Sequence, residues 1–399
     1  MSCVIAGGGP AGAMLALLLA RAGVEVTLLE KHADFLRDFR GDTIHPSTLQ
    51  VLGEIGLAEE FLRLPHRKTY ELSIVTDTGP IPLANLRGLP CAYDYIAFVP
   101  QWDFLSLVTS AAARYPSFRL LMSAEAHGLI VEGGEVRGVR YRDATGEHEL
   151  RAGLTVAADG RTSVLRRAAG LVPREFGAPM DVLWFRLPRV PGDPDETFLR
   201  LSRGHLMVVI DRETYWQLAY VIPKGGYDDL VRQGIGALRE PVARLVPFLA
   251  GRETLIEGYG DVSMLTVVLN RLRRWHRPGF TAIGDAAHAM SPVFGVGINL
   301  AVQDAVAAAN LVAGPLRADG RVPEATLRRL QRRRMWPTRV TQAAQRVVQD
   351  LLIGPALRNR LGSPPIRPDV TRIPLLNRVP RRFIGLGVRP EHVEVPASP

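Results

Sequence analysis

The chain has 399 residues, 47% apolar and 22% charged, with a formal net charge of +9. That length accommodates two domains and a large core, and the composition excludes a disordered or fibrous chain. Two cysteines, Cys3 and Cys91, with no Cys-x-x-Cys or zinc-ligand spacing, exclude a disulfide framework and a dithiol redox centre and point to a reducing compartment.

The N-terminus reads Val4-Ile5-Ala6-Gly7-Gly8-Gly9-Pro10-Ala11-Gly12. Residues 2–6 are expected to form a buried strand, 13–22 a helix closed by Gly23, and 24–29 a second strand ending at Glu30. This is Gly-x-Gly-x-x-Gly in the strand–turn–helix setting that gives it meaning. Gly7 permits the tight turn, Gly9 lets a diphosphate approach the main chain, and Gly12 lets the helix pack on the sheet. The helix start offers N–H groups and partial positive charge to phosphates, and Glu30 is placed for a ribose hydroxyl.

A second signal is the apolar strand 154–158 ending in Asp159-Gly160, followed by a helix carrying Arg166 and Arg167. Asp-Gly is also an ordinary turn pair. Residues 182–185, 197–201, 205–210 and 215–222 read as strands, with 211–214 as a hairpin loop and prolines punctuating the block. A third signal runs from Phe280 through Gly284-Asp285-Ala286-Ala287-His288 to Pro292, Gly295, Gly297 and Asn299. There a strand ends in a carboxylate suited to a sugar hydroxyl, and two glycines admit a flat ring. A long helix is expected over 298–312, stopped by Gly314-Pro315, and another over about 324–352, broken or kinked at Pro337. From Gly362 onward recurring prolines predict an extended surface tail.

Only three of the 49 basic residues are lysines, Lys31, Lys68 and Lys224. The arginine cluster at 328, 329 and 332–334 reads as a solvated helix face, with no nucleic-acid motif around it. The uncharged stretch 3–20 lacks a basic leader, and its Gly-Gly-Gly-Pro interrupts any helix. The expectation is a cytoplasmic protein without nucleic-acid or membrane partners; residues 328–346 lack an apolar stripe flanked by lysines.

Together, in this order, the three motifs resemble those of the FAD-dependent monooxygenases of the para-hydroxybenzoate hydroxylase type, the single-component aromatic hydroxylases, over about residues 1–315. Arg40, in Arg40-Gly41-Asp42-Thr43-Ile44-His45-Pro46, and Gln101, in Pro100-Gln101-Trp102-Asp103, are further matches. The resemblance implies an α/β fold: a Rossmann-like, PHBH-like FAD-binding domain (1–70, 98–180, 263–320) interrupted by a mostly antiparallel substrate sheet (71–97, 181–262). A C-terminal helix and proline-rich tail (321–399) follow.

By the same resemblance, Gly7, Gly9 and Gly12 would hold the FAD diphosphate, Glu30 the adenosine ribose, and Arg40 (or its rival Arg37) and Gln101 the flavin nucleotide. Asp159 and Gly160 would serve FAD and NAD(P)H, Asp285 the ribityl chain, and Pro292, Gly295, Gly297 and Asn299 the isoalloxazine ring. FAD would be non-covalent, NADPH or NADH a transient reductant and O2 a co-substrate. A flavin C4a-hydroperoxide would hydroxylate a small hydrophobic aromatic or polyketide-like molecule.

The start of the long helix suits the negative charge of a reduced flavin. Trp184, Met207, Trp216 and Tyr220 are candidates for an apolar substrate chamber, although aromatics on strands more often fill a core. No catalytic base is evident: His45 and His288 suit structural hydrogen bonding, and His45 and Pro292 are the weak candidates. No metal site is expected. A flavin-dependent halogenase shares the first motif, but its Trp-x-Trp-x-Ile-Pro motif is absent and no lysine has a matching context. A flavin reductase or dehydrogenase, or a non-catalytic flavin redox sensor, are further alternatives.

Overall fold

The structure is a computed structural model that describes residues 2–36, 43–202, 204–358 and 374–397, with side chains from 380 in the last stretch. Arg37 and Arg40 lie outside the described residues.

The first strand, Cys3–Ala6, is entirely buried. It sits inside a six-stranded sheet in the order 276–277, 280–282, 154–157, 3–6, 26–29, 118–121. All neighbours pair in parallel except the edge hairpin at 276–281. A strand buried on both faces explains the unbroken apolar run Cys3-Val4-Ile5-Ala6. The helix Pro10–Arg21 and the long helix Gly297–Asp319 cover one face, forming a core with Met14, Leu15, Leu18, Val302, Ala305 and Val306. The three-stranded meander 125–151 packs on the other.

A second sheet has seven strands in the order 263–265, 180–188, 215–223, 205–211, 198–202, 71–76, 79–85. The four strands expected between 182 and 222 are all present, each within two or three residues of its expected bounds. Pairing is antiparallel apart from 198–202 with 71–76. Opposed residues share a face, so Leu183, Tyr220 and Met207 stand together while Trp184, Ala219 and Val208 stand on the other side.

Three expectations fail in whole or in part. The long helix does not stop at Gly314-Pro315 but runs to Asp319, where Gly320 (φ 63°) closes it. Pro315 removes one backbone donor, but Val312, Ala313 and Leu316 are buried in the main core, and that packing outweighs the lost hydrogen bond. The helix Glu324–Val348 likewise continues through Pro337. The expected extended tail contains a helix, Pro374–Gly385, whose end docks Ile384 against Phe98 and Ile210.

Trp216 is wholly buried beneath the helix Gly236–Leu245, and its Nε1 donates to Asp193 Oδ2 at 2.8 Å. Asp193 also takes both Arg252 nitrogens, at 2.6 and 2.8 Å. Trp216→Ala is expected to lower the unfolding free energy by about 3–5 kcal/mol in urea denaturation, because it leaves a large cavity in the core and removes one of the hydrogen bonds to Asp193.

Candidate functional site

The parallel sheet brings all three motifs to the C-terminal ends of adjacent strands, the position where open α/β sheets bind ligands. Main-chain contacts lock them together. A Cβ at Gly7 (φ 105°) would lie 2.3 Å from Ala158 O and 2.8 Å from Asp159 N. A Cβ at Gly12 would lie 2.0 Å from Gly7 O, and one at Gly284 2.9 Å from the Ala11 side chain. These glycines are required by the fold itself. Gly9 is different: its φ of −72° suits any residue, and a Cβ there would meet nothing within 4 Å. The same open space surrounds Gly297. Gly9 precedes a helix that no side chain caps, and Gly297 begins another.

Glu30 is buried, with Oε2 accepting from Gly8 N–H at 2.8 Å and Oε1 accepting from His32 Nδ1 at 2.6 Å. Its carboxylate thus fixes the glycine turn directly. Asp159 caps the short helix Val164–Ala168, accepting from Leu165 N–H at 3.1 Å and from the Ser163 hydroxyl. Gly160 (φ 83°) makes the turn between them. Arg161 lies 3.6 Å from Asp285 and bonds Thr266 O, linking the second and third motifs. Gln101 opens the helix Gln101–Ala112, which packs against Pro10–Arg21.

The loop 284–297 is fastened from behind by residues that sequence reading missed. Asp304, fully buried, accepts from Gly284 N–H at 3.0 Å, His288 Nε2 at 2.6 Å and Arg334 Nε at 2.8 Å. Burial pushes its carboxyl pKa up, but His288 and Arg334 outweigh that and hold it below the ordinary value. Arg334 continues to Glu391, which Arg333 also pairs. His288 is thereby a structural partner. Three buried glutamines on one face of the helix Glu324–Val348 and the turn after it add a ladder: Gln342 donates to Ala289 O at 3.1 Å, Gln345 to Ser291 O at 2.8 Å and Gln349 to Ser291 Oγ at 2.7 Å. The spacing 342, 345, 349 is the visible signal for a shared helix face.

At the loop's tip, Pro292 starts a 3-10 turn in which Phe294 takes φ 69°, unusual for a residue with a Cβ. Gly295 (φ 64°) accepts the Thr43 hydroxyl at 2.8 Å. Asn299 is buried; its Oδ1 accepts from Thr48 Oγ1 at 2.6 Å and His45 N–H at 3.3 Å. With Gln303 it lines a small cavity of about 20 Å³, the size of one water. His45 is fully buried, donating Nδ1–H to Ile384 O at 2.7 Å. Burial pulls its pKa from 6.5 down to about 4, against the opposing carbonyls of Ile384 and Gly295. A neutral, sealed imidazole serves structure.

The four aromatic and methionine candidates do not come together. Met207, Trp216 and Tyr220 fill the core under Gly236–Leu245, and Tyr220 OH meets His205 Nδ1 at 2.6 Å. Strand alternation sends Trp184 to the opposite face, in a cluster with Phe294, Phe98, Ile210 and Phe383.

The chain matches the pattern of the FAD binding domain family over residues 1–344. It belongs to that family. It is 33% identical over 308 residues to 6-methylpretetramide 4-monooxygenase of Streptomyces rimosus, covering 77% of this chain and 73% of that enzyme. Among solved structures it resembles Pseudomonas aeruginosa PqsL in complex with 2-aminobenzoylacetate (TM-score 0.76, 22% identity, 90% of this chain and 98% of that one). The flavin-dependent brominase Bmp2 is similar in fold (TM-score 0.76, 18% identity, 96% and 93%). The chain thus falls among the FAD-dependent monooxygenases of the para-hydroxybenzoate hydroxylase type and has their fold. The residues present fit FAD. Gly9 and Gly297 leave room that the protein does not use, beside two helix starts without side-chain caps.

Asp304→Asn is expected to cost about 3–5 kcal/mol in urea denaturation, because Arg334 keeps its charge in a buried site with half its counter-charge gone. For His45, the folded pKa of about 4 lies below the ordinary 6.5, so its penalty is absent above pH 6.5 and grows as pH falls towards 4. It reaches about 3 kcal/mol. His45→Asn should flatten that part of a stability–pH profile measured by urea titration.

Proposed function

We propose that the protein uses NADPH or NADH to reduce its FAD, then places one atom of O2 on a flat, hydrophobic aromatic or polyketide-like molecule while the second leaves as water. The observation that carries this reading is the position of the loop 292–297. It joins the uncapped start of the 297–319 helix to an apolar wall of Phe294, Phe383, Trp184, Phe98 and Ile210. The 33% identity to an enzyme that oxygenates a pretetramide supports the substrate class.

FAD, when bound, supplies two-electron acceptance and the activation of O2. The chain's residues supply placement and dryness. Main-chain N–H groups after Gly9 would hold the diphosphate. Glu30 would hold the adenosine ribose, Gln101 the nucleotide and Asp285 the ribityl chain. Pro292, Gly295 and Gly297 would flank the ring, and the helix start would favour negative charge on it. The aromatic wall excludes water. Asp159 acts through the turn it caps, and Gly160 leaves its main chain open to a nucleotide. The lysines do not suit halogenation: Lys224 is tied to Asp181 and Val267 O, Lys68 sits 4.8 Å from the Tyr95 ring centre, and Lys31 is exposed beside Glu30.

The test is to purify the protein, record its flavin spectrum, and screen phenols and polycyclic aromatics for accelerated NAD(P)H and O2 consumption, with 18O2 and mass spectrometry of products. A yellow protein that puts one 18O into an aromatic product is expected. A colourless protein that takes up no FAD overturns the reading. Turnover without O2 points to a reductase, and chloride-dependent products to a halogenase. Gly9→Val should leave the melting temperature of the FAD-free protein unchanged, since its side chain enters open space, while weakening FAD binding about tenfold or more in fluorescence titration. Gly12→Ala should lose the fold itself.

A further inference from the structure

The helix Glu324–Val348 and the turn after it carry a face that neither the core nor the flavin site uses. Trp336, Val347 and Leu351 are 55%, 54% and 64% exposed. With half-buried Val340 and exposed Ala343 between them, the spacing 336, 340, 343, 347, 351 puts all five on one side. Arg332, Arg339 and Arg346 recur every seventh residue along the edge of that stripe.

The basic edge continues onto the strands beside it. The guanidinium carbons of Arg174, Arg271 and Arg346 lie 5.4, 5.0 and 5.7 Å from the centre of one ring, Phe176. Burial, with Arg339 and Arg174 nearby, pushes the Arg271 pKa down. Its side chain bonds a neutral partner, Gln342 Oε1, at 2.6 Å. Among the described residues no ion pair joins Arg174, Arg271, Arg332, Arg339 or Arg346 to a carboxylate. Nearby Glu175 accepts instead from Asn270, at 2.9 Å. Exposed Asp350, one turn after Arg346, is a single acid against these five arginines and is joined to none of them among the described residues. Gathering like charges with so little counter-charge is unfavourable unless something anionic completes the surface.

We propose that this face is a peripheral docking surface for an anionic lipid bilayer. An indole and branched aliphatic side chains beside a row of arginines match the interface between acyl chains and negative headgroups. A second copy of the chain would set two basic edges against each other. A nucleic acid would satisfy the arginines but leave the Trp336–Leu351 stripe in water. The long apolar helix Gly297–Asp319 is buried in the core and plays no part.

The test uses the full-length holoprotein with phosphatidylcholine vesicles, with and without phosphatidylglycerol, in co-sedimentation. Tryptophan fluorescence is followed alongside and compared with Trp336→Phe, because Trp102 and Trp184 are partly exposed whereas Trp216 and Trp275 are wholly buried. Binding about tenfold or more tighter to the anionic vesicles is expected, with a blue shift and release by salt. The double variant Arg339→Glu/Arg346→Glu and the double variant Trp336→Ser/Val347→Ser should each lose about tenfold or more, with FAD content and melting temperature unchanged. Absence of vesicle binding, salt-insensitive binding, or equal binding by both variants overturns the proposal. So does a concentration-dependent doubling of mass that Trp336→Ser abolishes, which would make a second copy the occupant.

Discussion

The site depends on main chain touching main chain. Gly7 lies against the peptide of Ala158 and Asp159, and Gly12 lies against the carbonyl of Gly7. Any side chain at these points separates the glycine turn from its neighbours. Because the strands are parallel and adjacent, loops far apart in sequence must open at the same edge of the sheet. The three turns thus meet at one edge through main-chain contact, with Glu30 on Gly8 and Arg161 beside Asp285 adding side-chain ties between them.

That backbone arrangement needs a rigid support behind it. Asp304 supplies the charge, holding an N–H of the third turn, an imidazole and a buried guanidinium at once. The glutamine ladder supplies neutral hydrogen bonds to Ala289 and Ser291. A loop held so firmly can keep Phe294 in a left-handed conformation that an unsupported loop would relax. The ladder and the ion network divide the work: one fixes the loop's path, the other its junction with the core.

The fold was legible where local patterns are strong. The glycine turn, the central strands and the four antiparallel strands all declared themselves by period and punctuation. What remained hidden was tertiary. Asp304 and Arg334 look like ordinary polar positions on helices, and only their burial opposite each other gives them meaning. Pro315 reads as a stop because the rule for proline is local, whereas the apolar side chains around it are buried by partners distant in sequence. Trp184 and Met207 both read as pocket candidates; strand register alone separates them. Asp159 and Glu30 matched a family pattern, yet their carboxylates are also occupied within the protein, which sequence cannot reveal.

The segment 389–395 carries a consequence for folding. Glu391 completes the pairing of Arg333 and Arg334, Asn310 bonds the main chain of His392, Glu394 and Val395, and Arg21 on the glycine helix bonds Val395 O. The glycine helix and the support behind the third motif are therefore tied together by one short segment far from both in sequence. Contacts of such long separation close late, so refolding should shape the strands before the cleft becomes rigid.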